Sequence, residues 1–178
     1  ELLSGESLHA RVRRGGKLID RPAALRLMRQ LASVCEAAHQ KAIVHRDLKP
    51  ENVMVVADPF TFGGERIKVL DFGIAKLLDR VRPPGLANQS VGLFGTPMFM
   101  APEQALGHTL DQRADLFSLG SVPYQMATGR PPFRATGTLA VLKRVAEGTR
   151  RPIREVTHGT PPSPSDGTPE PPAKKPAP

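Results

Sequence analysis

One run, His45-Arg46-Asp47-Leu48-Lys49-Pro50-Glu51-Asn52, and one triplet, Asp71-Phe72-Gly73, hold residue types that can move a phosphoryl group. Asp47 is suited to accept the hydrogen bond of an acceptor hydroxyl and to aim its oxygen for in-line attack. An Asp in a loop is usually a turn former, but its place in this run favours the catalytic reading. Lys49, two residues on, would lie beside Asp47 and neutralise the transferring γ-phosphate. Asn52 and Asp71 offer an amide oxygen and a carboxylate, hard ligands for Mg²⁺ when phosphate oxygens complete its shell. Gly73 lets the backbone turn sharply after Asp71. Together they fit transfer from Mg·ATP to a hydroxyl.

Such groups need elements to hold them. Ser7 to Val12 reads as a short helix, and Arg21-Pro22 opens a longer one, with Pro in the first turn where its missing N–H costs nothing. Leu27, Met28, Leu31, Val34, Cys35 and Ala38 recur at three and four residues, one apolar helix face. Cys35 on that face reads as a core residue and not as a nucleophile. Val53-Met54-Val55-Val56 and Ile67-Lys68-Val69-Leu70, separated by Asp58-Pro59 and Gly63-Gly64, predict a hairpin. The Asp47 loop leads into its first strand and Asp71 follows its second. Leu77 to Gly95 lacks periodicity and reads as a mobile loop. Arg113 to Thr128 is apolar nearly all round, which predicts a central buried helix, and Thr138 to Glu147 predicts one more amphipathic helix.

The order and spacing of these motifs resemble the eukaryotic-like (bacterial-type) Ser/Thr protein kinases, specifically their C-terminal lobe. The resemblance implies a mainly α lobe, in a family that is α+β overall, with a small β-hairpin carrying the catalytic and Asp-Phe-Gly loops. It covers residues 1–156 as a partial kinase domain of hinge and C-lobe. It implies ATP and Mg²⁺ as cosubstrate and cofactor, and protein Ser/Thr hydroxyls as acceptors, since Lys49-Pro50 is typical of Ser/Thr and not Tyr kinases. By resemblance, Glu1-Leu2-Leu3-Ser4-Gly5-Glu6 is the hinge, where the backbone at Glu1 and Leu3 binds adenine, and Met54 lies under the adenine ring. Arg46 would pair with a phosphorylated activation loop, with Ser90 the candidate phosphosite. Thr96 would hydrogen-bond Asp47 and Lys49. Met98-Phe99-Met100 would floor the pocket for the residue after the phosphoacceptor. Ala101-Pro102-Glu103 would close the activation segment. Asp115 would bond the backbone of the catalytic loop, and His45 and Phe72 would stack in the core.

Three departures qualify the resemblance. The sequence contains no Gly-rich loop, no Val-Ala-Ile-Lys-type strand and no helix Glu to pair with its Lys, so the N-lobe is absent from it. The last C-lobe helices are absent too, which leaves Glu103 without the family's Arg; a buried carboxylate that loses its partner costs about 3–5 kcal/mol. Pro123 falls inside the central helix and predicts a kink. These departures motivate an alternative reading, a truncated, non-catalytic kinase-like binding module.

Composition bounds the rest. A chain of 178 residues with 39% hydrophobic residues can bury one domain's core. The net charge of +8 raises nucleic-acid binding, but the cations are scattered and stacking aromatics are few, so solvated surface charge is the better reading. A single Cys excludes a disulfide framework. No apolar run is long enough for a membrane segment, and no signal-peptide pattern opens the chain; the expected location is cytoplasmic. Residues 157–178 collapse into Pro, Ser, Gly and Thr and read as a disordered Pro-rich tail, with a ligand role for SH3-like domains as the lesser alternative.

Overall fold

The computed structural model of the chain describes residues 4–15, 20–72, 97–150 and 152–153. Glu1, Leu3, Gly73, Ser90, Thr96, the aperiodic stretch around Ser90 and the Pro-rich tail lie outside the described residues.

A short strand β1 (Gly5–Ser7) leads directly into helix α1 (Leu8–Gly15). Helix α2 (Arg21–His39) begins where the sequence predicts. Asp20 caps it by accepting from the Ala23 N–H at 3.2 Å, and Pro22 sits in its first turn. Its apolar stripe buries Leu27, Leu31 and Cys35, with Met28 and Val34 packed beside them. After a single 3₁₀ turn at Pro50–Asn52, strands β2 (Val53–Ala57) and β3 (Glu65–Val69) form the expected antiparallel hairpin, with Val53 opposite Val69. The hairpin is in fact part of a three-stranded sheet in the order β1-β2-β3, because Gly5 to Ser7 pairs with Val56 to Met54.

The β2–β3 turn is held by Asp58, whose Oδ1 accepts from Phe60 N and whose Oδ2 accepts from the Thr61 hydroxyl. Gly63 and Gly64 adopt φ of 91° and 73°, left-handed values that close the turn. Arg11 on α1 bridges Glu6 and Glu65, tying the helix to the sheet edge.

A 3₁₀ turn at Pro97–Phe99 precedes helix α3 (Pro102–Ala105), helix α4 (Gln112–Thr128) and helix α5 (Thr138–Ala146). Asp111 caps α4, and Gly129 ends it at φ 69°. Helix α4 continues through Pro123. The expectation that α4 is apolar nearly all round needs correction. Leu116 is 52% exposed, while Asp115, Ser118, Ser121 and Gln125 are buried. The buried face of α4 serves as a polar anchor as well as a core filler.

Among the described residues two clusters form the core. The larger joins Leu8, Leu27, Leu31, Cys35, Leu48, Val53, Ile67, Val122 and Met126, so it packs α1, α2, α4 and the sheet around the loop that carries Asp47. The smaller gathers Phe133, Val141 and Val145, with Met98 and Phe117 against it. Phe117 and Phe133 stack at 5.6 Å between centroids.

Candidate active site

The loop from His45 to Lys49 leaves α2 and enters the 3₁₀ turn, and α4 holds it from beneath. Asp115 is 1% exposed; its Oδ2 accepts from His45 N and its Oδ1 from Arg46 N, each at 2.8 Å. His39, the last residue of α2, donates from Nε2 to the same carboxylate at 2.8 Å. The clamp is needed because Arg46 sits at φ 69°, a left-handed conformation unfavourable for a side chain with a Cβ.

His45 is buried and works at both ring nitrogens. Its Nδ1 accepts from Asp47 N at 3.2 Å, which leaves Nε2 to donate to the Leu70 carbonyl at 2.8 Å. Its ring meets Phe72 edge-on, 4.7 Å between centroids. This one side chain therefore links the backbone before Asp47 to the backbone before Asp71. A second link, Leu70 N to Asn52 O at 2.8 Å, brings Asn52 and Asp71 to the same end of the β2–β3 hairpin. Asp71 itself is exposed at φ 60°.

Asp47 presents a half-exposed carboxylate. Lys49 Nζ lies 2.7 Å from its Oδ2. Asn52 Nδ2 donates to Asp47 O at 2.9 Å and to Oδ2 at 3.1 Å. The amide nitrogen of Asn52 is thereby committed to Asp47, and its oxygen is left for another partner. Asn52 and Asp71 thus offer oxygen donors of the hard type Mg²⁺ prefers, fewer than a full shell, as suits an ion completed by phosphate and water. Among the described residues no cluster of His, Cys, Asp and Glu forms a self-sufficient metal site.

Of the remaining candidates, Phe99 and Met100 line a small pocket with Asp47. Met54 is half-buried on β2, opposite Ser7 of β1. Phe99 is buried and Met98 and Met100 half-buried, and the Phe99 carbonyl accepts from the Ser118 hydroxyl at 2.8 Å. Glu103 opens α3 half-buried, so the cost expected for a fully buried, partnerless carboxylate is moderated by water. Cys35 behaves as the sequence suggests: burial, with the nearby Asp115 charge, pushes its thiol up to about 11, so it stays protonated and unreactive at neutral pH.

Sequence reasoning missed His39, Ser118 and Gln104. The Gln104 amide donates from Nε2 to the Arg46 carbonyl at 2.9 Å. Two of the three hold backbone carbonyls, and such contacts leave no periodicity or spacing to find.

The protein kinase domain family model matches residues 1–170. The chain is 44% identical over 156 residues to the serine/threonine-protein kinase Pkn1 of Myxococcus xanthus, covering 85% of this chain and 20% of that protein. It is 34% identical over 161 residues to a probable serine/threonine-protein kinase PknB of Bifidobacterium longum, covering 90% and 22%. It is 36% identical over 148 residues to the serine/threonine-protein kinase PknA of Mycobacterium tuberculosis, covering 83% and 32%. The chain therefore spans no more than about a third of the length of these relatives. With the His45–Asn52 run and the Asp-Phe-Gly triplet in its sequence and the buried Asp115 clamp in its fold, this chain belongs to the protein kinase family, in its bacterial serine/threonine branch.

Proposed function

We propose that the protein carrying this chain transfers the γ-phosphoryl group of Mg·ATP to Ser or Thr hydroxyls of protein substrates, and that residues 1–156 supply its hinge and C-lobe. The observation that carries the reading is that Lys49 and Asn52 each lie within hydrogen-bond distance of the Asp47 carboxylate, at the hairpin end where Asp71 emerges. Asp47 accepts the hydrogen bond of the incoming hydroxyl and orients its oxygen, while the Asn52 amide fixes the carboxylate rotamer. Lys49, already beside Asp47, offsets charge on the transferring group. The Asn52 oxygen and Asp71 would hold Mg²⁺, whose charge would offset that of the phosphates when bound. Met54 lies under the adenine ring, and the backbone at Glu1 and Leu3 binds its edge.

The activation-segment roles belong to the same proposal. Arg46 receives a phosphate on Ser90, Thr96 ties the segment to Asp47 and Lys49, and Met98 to Met100 seat the substrate. The cytoplasm supplies the nucleotide and the reducing conditions that suit a lone Cys. No described helix is long and apolar enough to cross a membrane.

Phosphate transfer by the protein carrying this chain, followed under a Mg²⁺ titration, tests the reading. The kinase reading expects the Asp71→Asn variant to lose transfer by at least about 10²-fold and to need more Mg²⁺ for what remains. Variant and wild type transferring at equal rates, or neither transferring at all, contradicts it.

A further inference from the structure

The peptide unit between Arg46 and Asp47 is gripped at both ends. Its N–H, on Asp47, donates to His45 Nδ1, and its carbonyl, on Arg46, accepts from Gln104 Nε2 at 2.9 Å. One residue earlier, the Arg46 N–H is taken by Asp115. Arg46 is held at φ 69° by these bonds, and the orientation of the following peptide sets where the Asp47 side chain points. Asp115 and His45 lie in the buried interior. Gln104 differs from them: it is half-buried and belongs to α3, the short helix that follows Met98-Phe99-Met100. It lines the same small pocket as Arg46, Asp47, Leu48, Phe99 and Met100. The neighbouring Phe99 carbonyl is anchored independently to α4 through Ser118.

We propose that Gln104 is a positioning residue for Asp47, coupling the seating of α3 to the direction of the catalytic carboxylate. When α3 is seated, the Gln104 amide completes the hold on the Arg46–Asp47 peptide. When α3 is displaced, that carbonyl loses the Gln104 donor, and the strained Arg46 backbone is freer to relax. The inference rests on the phosphoryl-transfer reading for its catalytic consequence, but its structural content stands apart from it.

The test uses Gln104→Met, which keeps side-chain length and removes the donor, and Gln104→Glu, which sets an acceptor against the carbonyl. Amide hydrogen exchange is followed in the 178-residue chain alongside its melting temperature. The expected result is exchange about three- to tenfold faster in the segment from Val44 to Lys49 in both variants, as fits loss of one net hydrogen bond. The melting temperature falls by no more than a few degrees, and exchange in α2 and α4 rises by no more than the factor seen in Val44 to Lys49. Wild-type exchange in Val44 to Lys49 overturns the proposal, and so does acceleration in α2 and α4 larger than in that segment, which marks general destabilisation. In phosphate-transfer assays of the protein carrying the chain, kcat falls by a similar factor with KM for ATP unchanged. A wild type without transfer would count against the proposed function while leaving the exchange result to stand or fall by itself.

Discussion

Arg46 at φ 69° is the residue on which the loop geometry turns, and Asp115 is what keeps it there. One buried carboxylate satisfies two backbone N–H groups and the His39 ring. Replacing it by Ala strands these donors in a site that is 1% exposed, at about 1–3 kcal/mol for each unsatisfied group, partly relieved by relaxation. Asp115→Ala is expected to lose about 2–5 kcal/mol of stability in urea denaturation. A loss below about 1 kcal/mol would mean that the loop does not lean on this clamp. Asp47, Lys49 and Asn52 were legible in the sequence because they lie within one contiguous run, close enough for local chain geometry to bring them together. Asp115 lies 70 residues from His45 and entered only through family resemblance. Gln104 and Ser118 were not legible, because a bond to a distant carbonyl depends on tertiary placement that no local spacing encodes.

At the scale of elements, α2 and the β2–β3 hairpin followed from sequence because cap, turn and periodicity agree there: Asp20 before Pro22, and Gly63-Gly64 between two β-branched runs. Strand β1 did not, since its three residues acquire strand geometry only by pairing with Met54 to Val56, far along the chain. The face of α4 was misjudged because composition cannot tell a buried polar anchor such as Ser118 from a solvated one. The contact between α1 and β3 carries a pH dependence. The hydrogen bond from Arg11 holds the Glu65 carboxyl below its ordinary value of 4.5, against a smaller opposing effect of burial. A depressed folded value means that this contact stabilises the fold above the unfolded carboxylate range, and that the contribution is lost as pH falls through the folded value. Glu65→Gln is therefore expected to be less stable than wild type at pH 7, with the difference shrinking below about pH 4.5 in denaturation midpoints measured across acid pH. A constant difference down to pH 3 (roughly the range where most carboxylates protonate) would show that the ion pair adds nothing to stability.

For the molecule as a whole, the larger core cluster and the site share a purpose. Leu48 lies within the run from His45 to Asn52 and is 1% exposed, packed with α1, α2, α4 and the sheet. The loop is thus anchored by its own apolar residue while Asp47 and Lys49 on either side turn toward the site. That alternation explains why the run must be contiguous and why the fold needs α4 behind it. The role proposed for Asp47 is to orient the acceptor hydroxyl. It is tested most directly by measuring transfer of labelled γ-phosphate to a Ser/Thr-containing protein substrate by the protein carrying this chain, wild type against Asp47→Asn, at saturating Mg·ATP. Expected are transfer to Ser or Thr by the wild type and a fall of at least about 10²-fold in kcat for the variant, with ATP binding retained. Turnover by Asp47→Asn equal to wild type would contradict it.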